Sequence, residues 1–233
     1  MKKLHLLITA AFVVVNVAPA LLNAQTPCGP GFGSAPGATF GGAGIPNSAV
    51  AYNNCLTGVS LNLTAHQRYD NPALTNDGAG VFTAQAGQDA NTVSPVTGYA
   101  KWNFAYDIQG ANALQYTYRL YFDNNPQAGN ALDGYLNIPG SFGIGYANSL
   151  NLGMGVLNIN VLGPAPTFQP FDKDAAGEYG FSLVAYNSDF NEVARTSILV
   201  NTSSVVPEPS TYALMTAGLA ILGVAARRKK LLA

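Results

Sequence analysis

Apolar and polar residues alternate along much of the middle of the chain. A period of two places successive side chains on opposite faces of an extended strand, so this pattern predicts β-strands. Glycine, proline, asparagine and aspartate separate the runs, as is typical of turns. The alternating runs cover residues 59–65, 81–85, 100–108, 114–122, 156–162, 179–185 and 194–200.

Two neighbouring runs, 100–108 and 114–122, are separated by a short segment that contains Gly110 and Asn112. We therefore expect the two runs to pair as a hairpin. Each run has a large apolar face and a more polar face, so one side should enter the core and the other should meet water. On the first strand, the predicted inward residues are Trp102, Phe104 and Tyr106, and the outward ones are Lys101, Asn103 and Asp107.

Short strands with turns between them are typical of two packed sheets. Residues 25–205 are numerous enough for one domain with a substantial core. The sequence therefore predicts an all-β fold: a single antiparallel β-sandwich of the immunoglobulin-like or jelly-roll-like kind. This sandwich should lie between an N-terminal signal helix and a short C-terminal transmembrane helix.

Residues 1–24 have the organisation of a secretory signal peptide. Lys2 and Lys3 precede an apolar run over 6–15, and small residues that include Ala20 and Ala24 follow it. We expect cleavage after one of these two alanines. An uncleaved N-terminal anchor is the alternative, although the apolar run is short for a membrane span.

The C-terminal segment, 206–233, has three parts. They are the motif Val206-Pro207-Glu208-Pro209, the apolar run 212–226 and the basic cluster Arg227-Arg228-Lys229-Lys230. The apolar run would form a helix about 22 Å long, shorter than the hydrocarbon core of about 30 Å, so it predicts a marginal transmembrane helix. The basic cluster should remain cytoplasmic, which places the domain outside. A permanent membrane anchor is the alternative.

This order and spacing resemble the PEP-CTERM sorting signal of Gram-negative bacteria, a tail that is also labelled the C-terminal segment of ice-binding proteins. The resemblance implies processing by an exosortase, in addition to signal peptidase at the other end of the chain. It also implies an inner-membrane intermediate, removal of the tail and export to the cell surface or the extracellular polymer. Glu208 and its neighbouring prolines would contact the processing enzyme.

The end of the middle domain resembles the last hairpin of immunoglobulin-like and cadherin-like bacterial surface domains, on residues 172–186 and the strand that follows to Val200. The domain is also similar to β-sandwich proteins that carry the same tail and have no assigned activity. The segments that carry this second likeness are 44–47, 65–69, 76–80 and 102–104. Neither likeness implies a mechanism.

Charge is distributed unevenly along the chain. The whole sequence has a formal net charge of −1, but residues 25–206 contain 5 basic and 11 acidic residues, a balance of −6. Duplex nucleic acid and anionic membrane surfaces attract lysine and arginine. We therefore expect no nucleic-acid partner for this domain.

The two cysteines, Cys28 and Cys55, flank a glycine- and proline-rich segment. Cysteines of an exported chain usually pair, so we expect a disulfide. Closing this loop would stabilise the fold by about 3.5 kcal/mol in the chain-entropy estimate. Two free thiols or a two-ligand metal site are the alternatives.

Candidate chemistry is sparse in the domain. His66 is its single histidine, and Glu178 and Glu192 are its glutamates; none lies in a recognised catalytic motif. We therefore expect no enzyme, no catalytic residue and no cofactor. Calcium is the inorganic alternative, bound by the loop acids Asp172, Asp174 and Glu178. Turn formation explains acidic loop residues equally well.

Two functions are compatible with these features. The first is an exported, non-enzymatic cell-surface or extracellular-matrix protein that acts in adhesion or in the biofilm polymer. The second is a secreted carbohydrate-binding or hydrolytic protein whose site is assembled from distant loops. Outward tyrosines would give either one a platform for extracellular polysaccharide; the candidates are Tyr69, Tyr99, Tyr121 and Tyr186. A pocket that joins two carboxylates would favour the second.

Overall fold

Two β-sheets pack face to face in the computed structural model of the protein. The structure describes residues 29–69, 72–89, 96–129, 132–140, 145–157, 170–204, 214–222 and 227. The strands of this part are β1 (Pro30–Gly33), β2 (Val50–Asn53), β3 (Ser60–Gln67), β4 (Thr75–Asn76), β5 (Val81–Gln85), β6 (Trp102–Gln109), β7 (Thr117–Phe122), β8 (Gly134–Ile138), β9 (Ala147–Leu150), β10 (Gly177–Tyr186) and β11 (Glu192–Ser203).

The first sheet has the strand order β1-β2-β3-β6-β9, and the second has the order β4-β5-β11-β10-β7-β8. Their described ladders are antiparallel, except that β11 pairs with β5 in parallel. The predicted all-β sandwich is therefore confirmed, with one parallel pair added. The predicted hairpin at the end of the domain is also confirmed, because β10 pairs with β11 from residue 177 to residue 202.

The core fills the space between the two sheets. Phe104 of β6 stacks on Phe181 of β10, with ring centroids 4.2 Å apart and planes 23° apart. Trp102 lies beside Tyr179, at 5.7 Å between centroids. Trp102, Phe104 and Tyr106 are all buried, as the alternation along this strand predicts. Large aromatic side chains of β6 and β10 therefore join the sheets at the centre of the domain.

The predicted hairpin between the runs 100–108 and 114–122 is wrong. β6 pairs with β3 and β9 in the first sheet, whereas β7 pairs with β8 and β10 in the second. The connection includes a 3₁₀ turn at Ala113–Gln115 and crosses from one sheet to the other. Alternation shows which side chains face the core, but it does not identify the neighbouring strand. Leu114, predicted to face inward, is 82% exposed on this connection.

The outer face of β6 is not exposed to water, contrary to the prediction. Asn103, Ala105 and Asp107 are buried along with the core face. The glycine- and proline-rich segment covers Asp107. The Oδ2 atom of Asp107 accepts hydrogen bonds from the N–H and the hydroxyl of Thr39, at 2.9 and 3.3 Å. It also accepts a hydrogen bond from the N–H of Phe40, at 3.3 Å. Phe40 packs in a second small cluster on this face.

Two other sequence predictions meet the limits of the described residues. The predicted strand over 156–162 is a 3₁₀ turn at Gly155–Leu157, and the rest of it lies outside those residues. The signal peptide predicted over 1–24 lies wholly outside them. Near the C-terminus, 214–222 is helical and exposed. Among the residues described, no helix is long and apolar enough to cross a membrane.

Candidate functional site

The predicted sorting motif, Val206 to Pro209, lies outside the described residues. Of the basic cluster, Arg227 is described and is helical and exposed, whereas 228–230 are not described. Cys55 is described and Cys28 is not, so their pairing remains a prediction. The part of the chain that the structure covers contains no free cysteine thiol.

The three calcium candidates do not form a common binding site. Oδ1 of Asp172 accepts the backbone N–H of Asp174 at 2.9 Å, and the Asp174 carboxylate pairs with Lys173. Oε1 of Glu178 accepts the backbone N–H of Gly129 at 3.4 Å. Within the described ranges, no group of three or more acidic, histidine or cysteine side chains could hold a metal ion. Turn formation and local charge pairing therefore account for the contacts of these acids.

His66 lies in a hydrogen-bonded network on the outer face of the first sheet. Its Nδ1 is 2.7 Å from the carbonyl oxygen of Gln67, which only accepts, so Nδ1 carries the proton of the neutral ring. Its Nε2 therefore accepts a hydrogen bond from the Ser149 hydroxyl, at 2.9 Å. The Oγ atom of Ser149 in turn accepts a hydrogen bond from Asn103, at 2.9 Å. Burial lowers the pKa of His66, which is 1% exposed. These contacts hold β3, β6 and β9 together.

The outer face of the second sheet carries a cluster of rings and guanidinium groups. Alternation along β7 and β10 sends Tyr118 and Leu183 into the core and Tyr121 and Tyr186 outward. Register then places Arg119 and Arg195 on either side of Val184. We define the aromatic–arginine surface as these outward residues and two neighbours: Arg119, Tyr121, Tyr135, Tyr186, Phe190 and Arg195.

Arg119 lies among three rings of this surface. Its guanidinium carbon is 4.3 Å from the ring centroid of Tyr135, 4.8 Å from that of Phe190 and 5.6 Å from that of Tyr186. A guanidinium at such distances is attracted by the negative ring faces. The hydrogen bond with Tyr121 is the main cause that raises the pKa of Arg119. The rings therefore hold a permanent positive charge at the surface.

Arg195 has a different environment from Arg119. Its Nε and Nη2 donate to the two carboxylate oxygens of Glu192, at 2.8 and 2.7 Å. This bidentate bond raises the pKa of Arg195 and lowers the pKa of Glu192. By contrast, no carboxylate among the described residues lies within 4.0 Å of Arg119. One of the two arginines is thus neutralised within the surface, and the other is not.

Phe190 projects from the turn between β10 and β11. Its ring is 54% exposed and stacks on Tyr186, with centroids 5.2 Å apart and planes 22° apart. Its backbone has φ +62°, which is rare for a bulky residue and costs about 1–3 kcal/mol. Asn187 supports the turn, because its Oδ1 accepts the N–H groups of Asp189 and Asn191 at 3.1 and 2.9 Å.

Tyr121 and Tyr186 are linked through their hydroxyl groups, whose oxygens are 2.7 Å apart. Burial, followed by this hydrogen bond, raises the pKa of Tyr186 to about 12. Tyr121 also packs against Tyr135 of β8, with 5.6 Å between ring centroids. The Tyr186 phenol therefore stays neutral at physiological pH, and the three rings support one another across three strands.

A groove of about 440 Å³ continues on the same side of the second sheet. Its floor includes Gly180 and the hydrogen-bonded pair Ser182 and Ser197, whose Oγ atoms are 2.7 Å apart. Small side chains at these outward positions leave space over this face of the sheet. Two acidic residues, Asp123 and Glu178, also line the groove. Ser182 lies opposite Tyr121, so the groove borders the aromatic–arginine surface.

The sequence identified only part of this surface. Two of its four platform candidates, Tyr121 and Tyr186, lie here, whereas Tyr69 and Tyr99 lie over Arg68 elsewhere, at 4.3 and 4.5 Å. Sequence reasoning missed the remaining members, Arg119, Tyr135, Phe190 and Arg195. The available signal was an arginine and a tyrosine at two successive outward positions of β7, Arg119 and Tyr121, which alternation alone assigns to ordinary solvent-facing surface.

Comparison with known proteins identifies the C-terminal segment. Residues 205–229 match the PEP-CTERM protein-sorting motif, in agreement with the resemblance carried by Glu208 and its neighbours. No curated protein and no solved structure gives a significant match to the chain. The chain therefore carries a PEP-CTERM sorting motif at its C-terminal end, which implies an exported, cell-surface protein that an exosortase processes.

Proposed function

We propose that the protein is a non-enzymatic component of the cell surface or extracellular matrix that binds extracellular polysaccharide through its aromatic–arginine surface. It acts there in adhesion or in the biofilm polymer. Phe190 is 54% exposed and gives this cluster an apolar patch at the surface, and exposed apolar patches rimmed by polar residues often mark binding sites. Tyrosine and arginine are also over-represented among the residues that dominate binding energy.

The observation that carries this proposal is the conformation of Phe190. A bulky residue in the left-handed region is strained, and no turn needs a phenylalanine there. The Phe190 ring is also half exposed, so its burial contributes little free energy to offset this strain. Strain of this kind occurs most often where function requires a particular side-chain position. The strained turn holds the Phe190 ring over Arg119 and against Tyr186, next to the rings of β7 and β8.

The position of the surface also supports the proposal. β11 begins beside it, at Glu192, and ends at Ser203, shortly before the sorting motif at 205–229. Twelve residues of extended strand cover about 37 Å. The aromatic–arginine surface therefore extends toward the end of the domain remote from the processed segment. A protein held at the cell surface through the C-terminal end of its domain would present the cluster outward.

Binding can be tested with the extracellular polysaccharide of the producing cells and purified Phe190→Ala protein. We expect at least a tenfold loss of affinity by calorimetry, since hot-spot rings are worth about 2 kcal/mol or more. Leu114→Ala is the control, because Leu114 is 82% exposed and does not belong to the aromatic–arginine surface. Equal affinity of wild type and Phe190→Ala would contradict the proposal.

Processing can be tested separately in cells. We propose that signal peptidase removes 1–24 and that the run 212–226 holds an inner-membrane intermediate until exosortase acts. Glu208→Ala, or deletion of 227–230, should then leave full-length protein in the inner membrane. Immunoblots of fractionated cells measure this, and maturation at the wild-type rate would refute the sorting role of these residues.

A hydrolytic function is the second candidate, because two acidic residues, Asp123 and Glu178, line one groove. Glycoside hydrolysis uses two such groups as acid and as base or nucleophile. New reducing ends after incubation with polysaccharide, abolished in Glu178→Gln, would support hydrolysis. Binding without new reducing ends would favour the non-enzymatic function.

A further inference from the structure

We infer that the ligand of the aromatic–arginine surface carries carboxylates, as a uronic acid polymer does, and that Arg119 binds them. This inference rests on the proposed polysaccharide binding. The starting observation is the contrast between two arginines on one surface. Glu192 occupies Arg195 through two hydrogen bonds. No carboxylate among the described residues is within 4.0 Å of Arg119. Arg119 thus carries an uncompensated charge at the centre of a ring cluster.

The hydrogen-bonding capacity of Arg119 is largely unused by the described side chains. Its Nε donates to Oδ1 of Asn137 at a long 3.4 Å. A guanidinium has five N–H donors in a planar fork that matches a carboxylate. Tyr135 and Phe190 pack near its faces, where a cation is attracted by the rings. An incoming carboxylate would bind along the remaining edge.

Local charge decides this interaction despite the acidic balance of the domain. Interactions between exposed charges are largely screened beyond about 8 Å at physiological salt. Glu192 is paired with Arg195, and Asp189 lies on the exposed turn. A carboxylate at Arg119 therefore meets a cation flanked by low-polarity rings. Charge-assisted bidentate bonds are roughly twice as strong as neutral ones.

The test compares a polyuronate, alginate, with the same polymer after its carboxyl groups have been reduced. Calorimetry on the wild-type protein should give at least tenfold tighter binding to alginate, in line with hydrogen bonds to charged groups. Arg119→Gln should remove this preference, and Arg119→Lys should keep part of it because the charge remains but the planar fork is lost. Glu192→Gln frees Arg195 and should strengthen alginate binding.

The outcomes separate the two proposals. Equal binding of both polymers by wild type, or an unchanged alginate preference in Arg119→Gln, would overturn the inference and leave polysaccharide binding intact. Binding of neither polymer would count against the proposed function and this inference together. Trp102 is the single tryptophan and is buried in the core, so its fluorescence verifies that each variant is folded.

Discussion

Replacement of Phe104 by alanine tests the centre of the sandwich. Phe104 is fully buried, and its ring stacks on Phe181 at 4.2 Å. Removing a buried phenylalanine costs about 3–5 kcal/mol through lost transfer energy and the cavity that remains. The stacked pair places Phe104 toward the upper end of this range, since aromatic pairs are worth about 0.5–1.5 kcal/mol beyond area burial. A typical domain has about 5–15 kcal/mol of stability in total.

Asn103, one residue earlier, gives an internal comparison. Water on the outer face of β6 would make Asn103→Ala nearly neutral, but the side chain is only 7% exposed. Its Nδ2 donates to Ser149 at 2.9 Å, and its Oδ1 accepts from Asn151 at 2.8 Å. Truncation removes both hydrogen bonds from a buried network, at a cost of about 1–3 kcal/mol. We therefore expect both variants to lose stability, Phe104→Ala more than Asn103→Ala.

Urea denaturation followed by the fluorescence of Trp102 measures both losses, because this single tryptophan is buried between the sheets. Asn201→Ala on the exposed face of β11 is the control and should change the unfolding free energy by less than about 0.5 kcal/mol. A larger loss at Asn103 than at Phe104 would refute the assignment of the core face. An Asn103→Ala variant that matches the control would refute the covered outer face.

Three further experiments have defined outcomes. Thiol labelling of the processed, denatured and unreduced protein should find no free thiol, and labelling of both Cys28 and Cys55 would contradict the disulfide. Burial lowers the pKa of His66 in the folded protein below the value of 6.5 expected in the unfolded chain. The contribution of neutral His66 to the unfolding free energy is therefore present above pH 6.5 and is lost as the pH falls through the pKa of the folded state. Urea midpoints should therefore fall less steeply with acidification in His66→Gln than in wild type; parallel curves would refute this. Gly110→Ala should cost about 3 kcal/mol or more, because its Cβ would lie 1.9 Å from a backbone carbonyl oxygen at φ +124°. Gly145→Ala, with open space around it, is the control, and equal melting temperatures would argue against the close approach.

Alternation was sufficient to find the longer strands and their core faces. Val81–Gln85 is a strand with the predicted bounds, and the turn after Tyr186 joins β10 to β11 as expected. Period two depends only on which side of a strand meets the core. It contains no information on which strand is the neighbour, so β6 and β7 were paired wrongly although both were found.

The covered face of β6 and the aromatic–arginine surface were harder to predict for a common reason. Asn103 and Asp107 are polar, and a polar residue at an alternate position indicates solvent unless its partner is known. The partner of Asp107 is the Thr39–Phe40 backbone, 67 or 68 residues away in sequence. Phe190 follows three turn-forming residues, so its role depends on a left-handed backbone and on strands that only the fold brings together.

The placement of β11 also has a mechanical consequence. This strand is hydrogen-bonded to β10 on one side and to β5 on the other, and it ends at Ser203, shortly before the sorting motif in the sequence. Tension between the C-terminal end and a polymer held at Phe190 would be directed along β11. Because both points of attachment lie at the ends of this one strand, the extended covalent backbone of β11 would carry the load, whereas a load across an edge strand would open its ladder hydrogen bonds one at a time. If a polymer binds at Phe190 as proposed, the fold would therefore resist unfolding when it is pulled from that end.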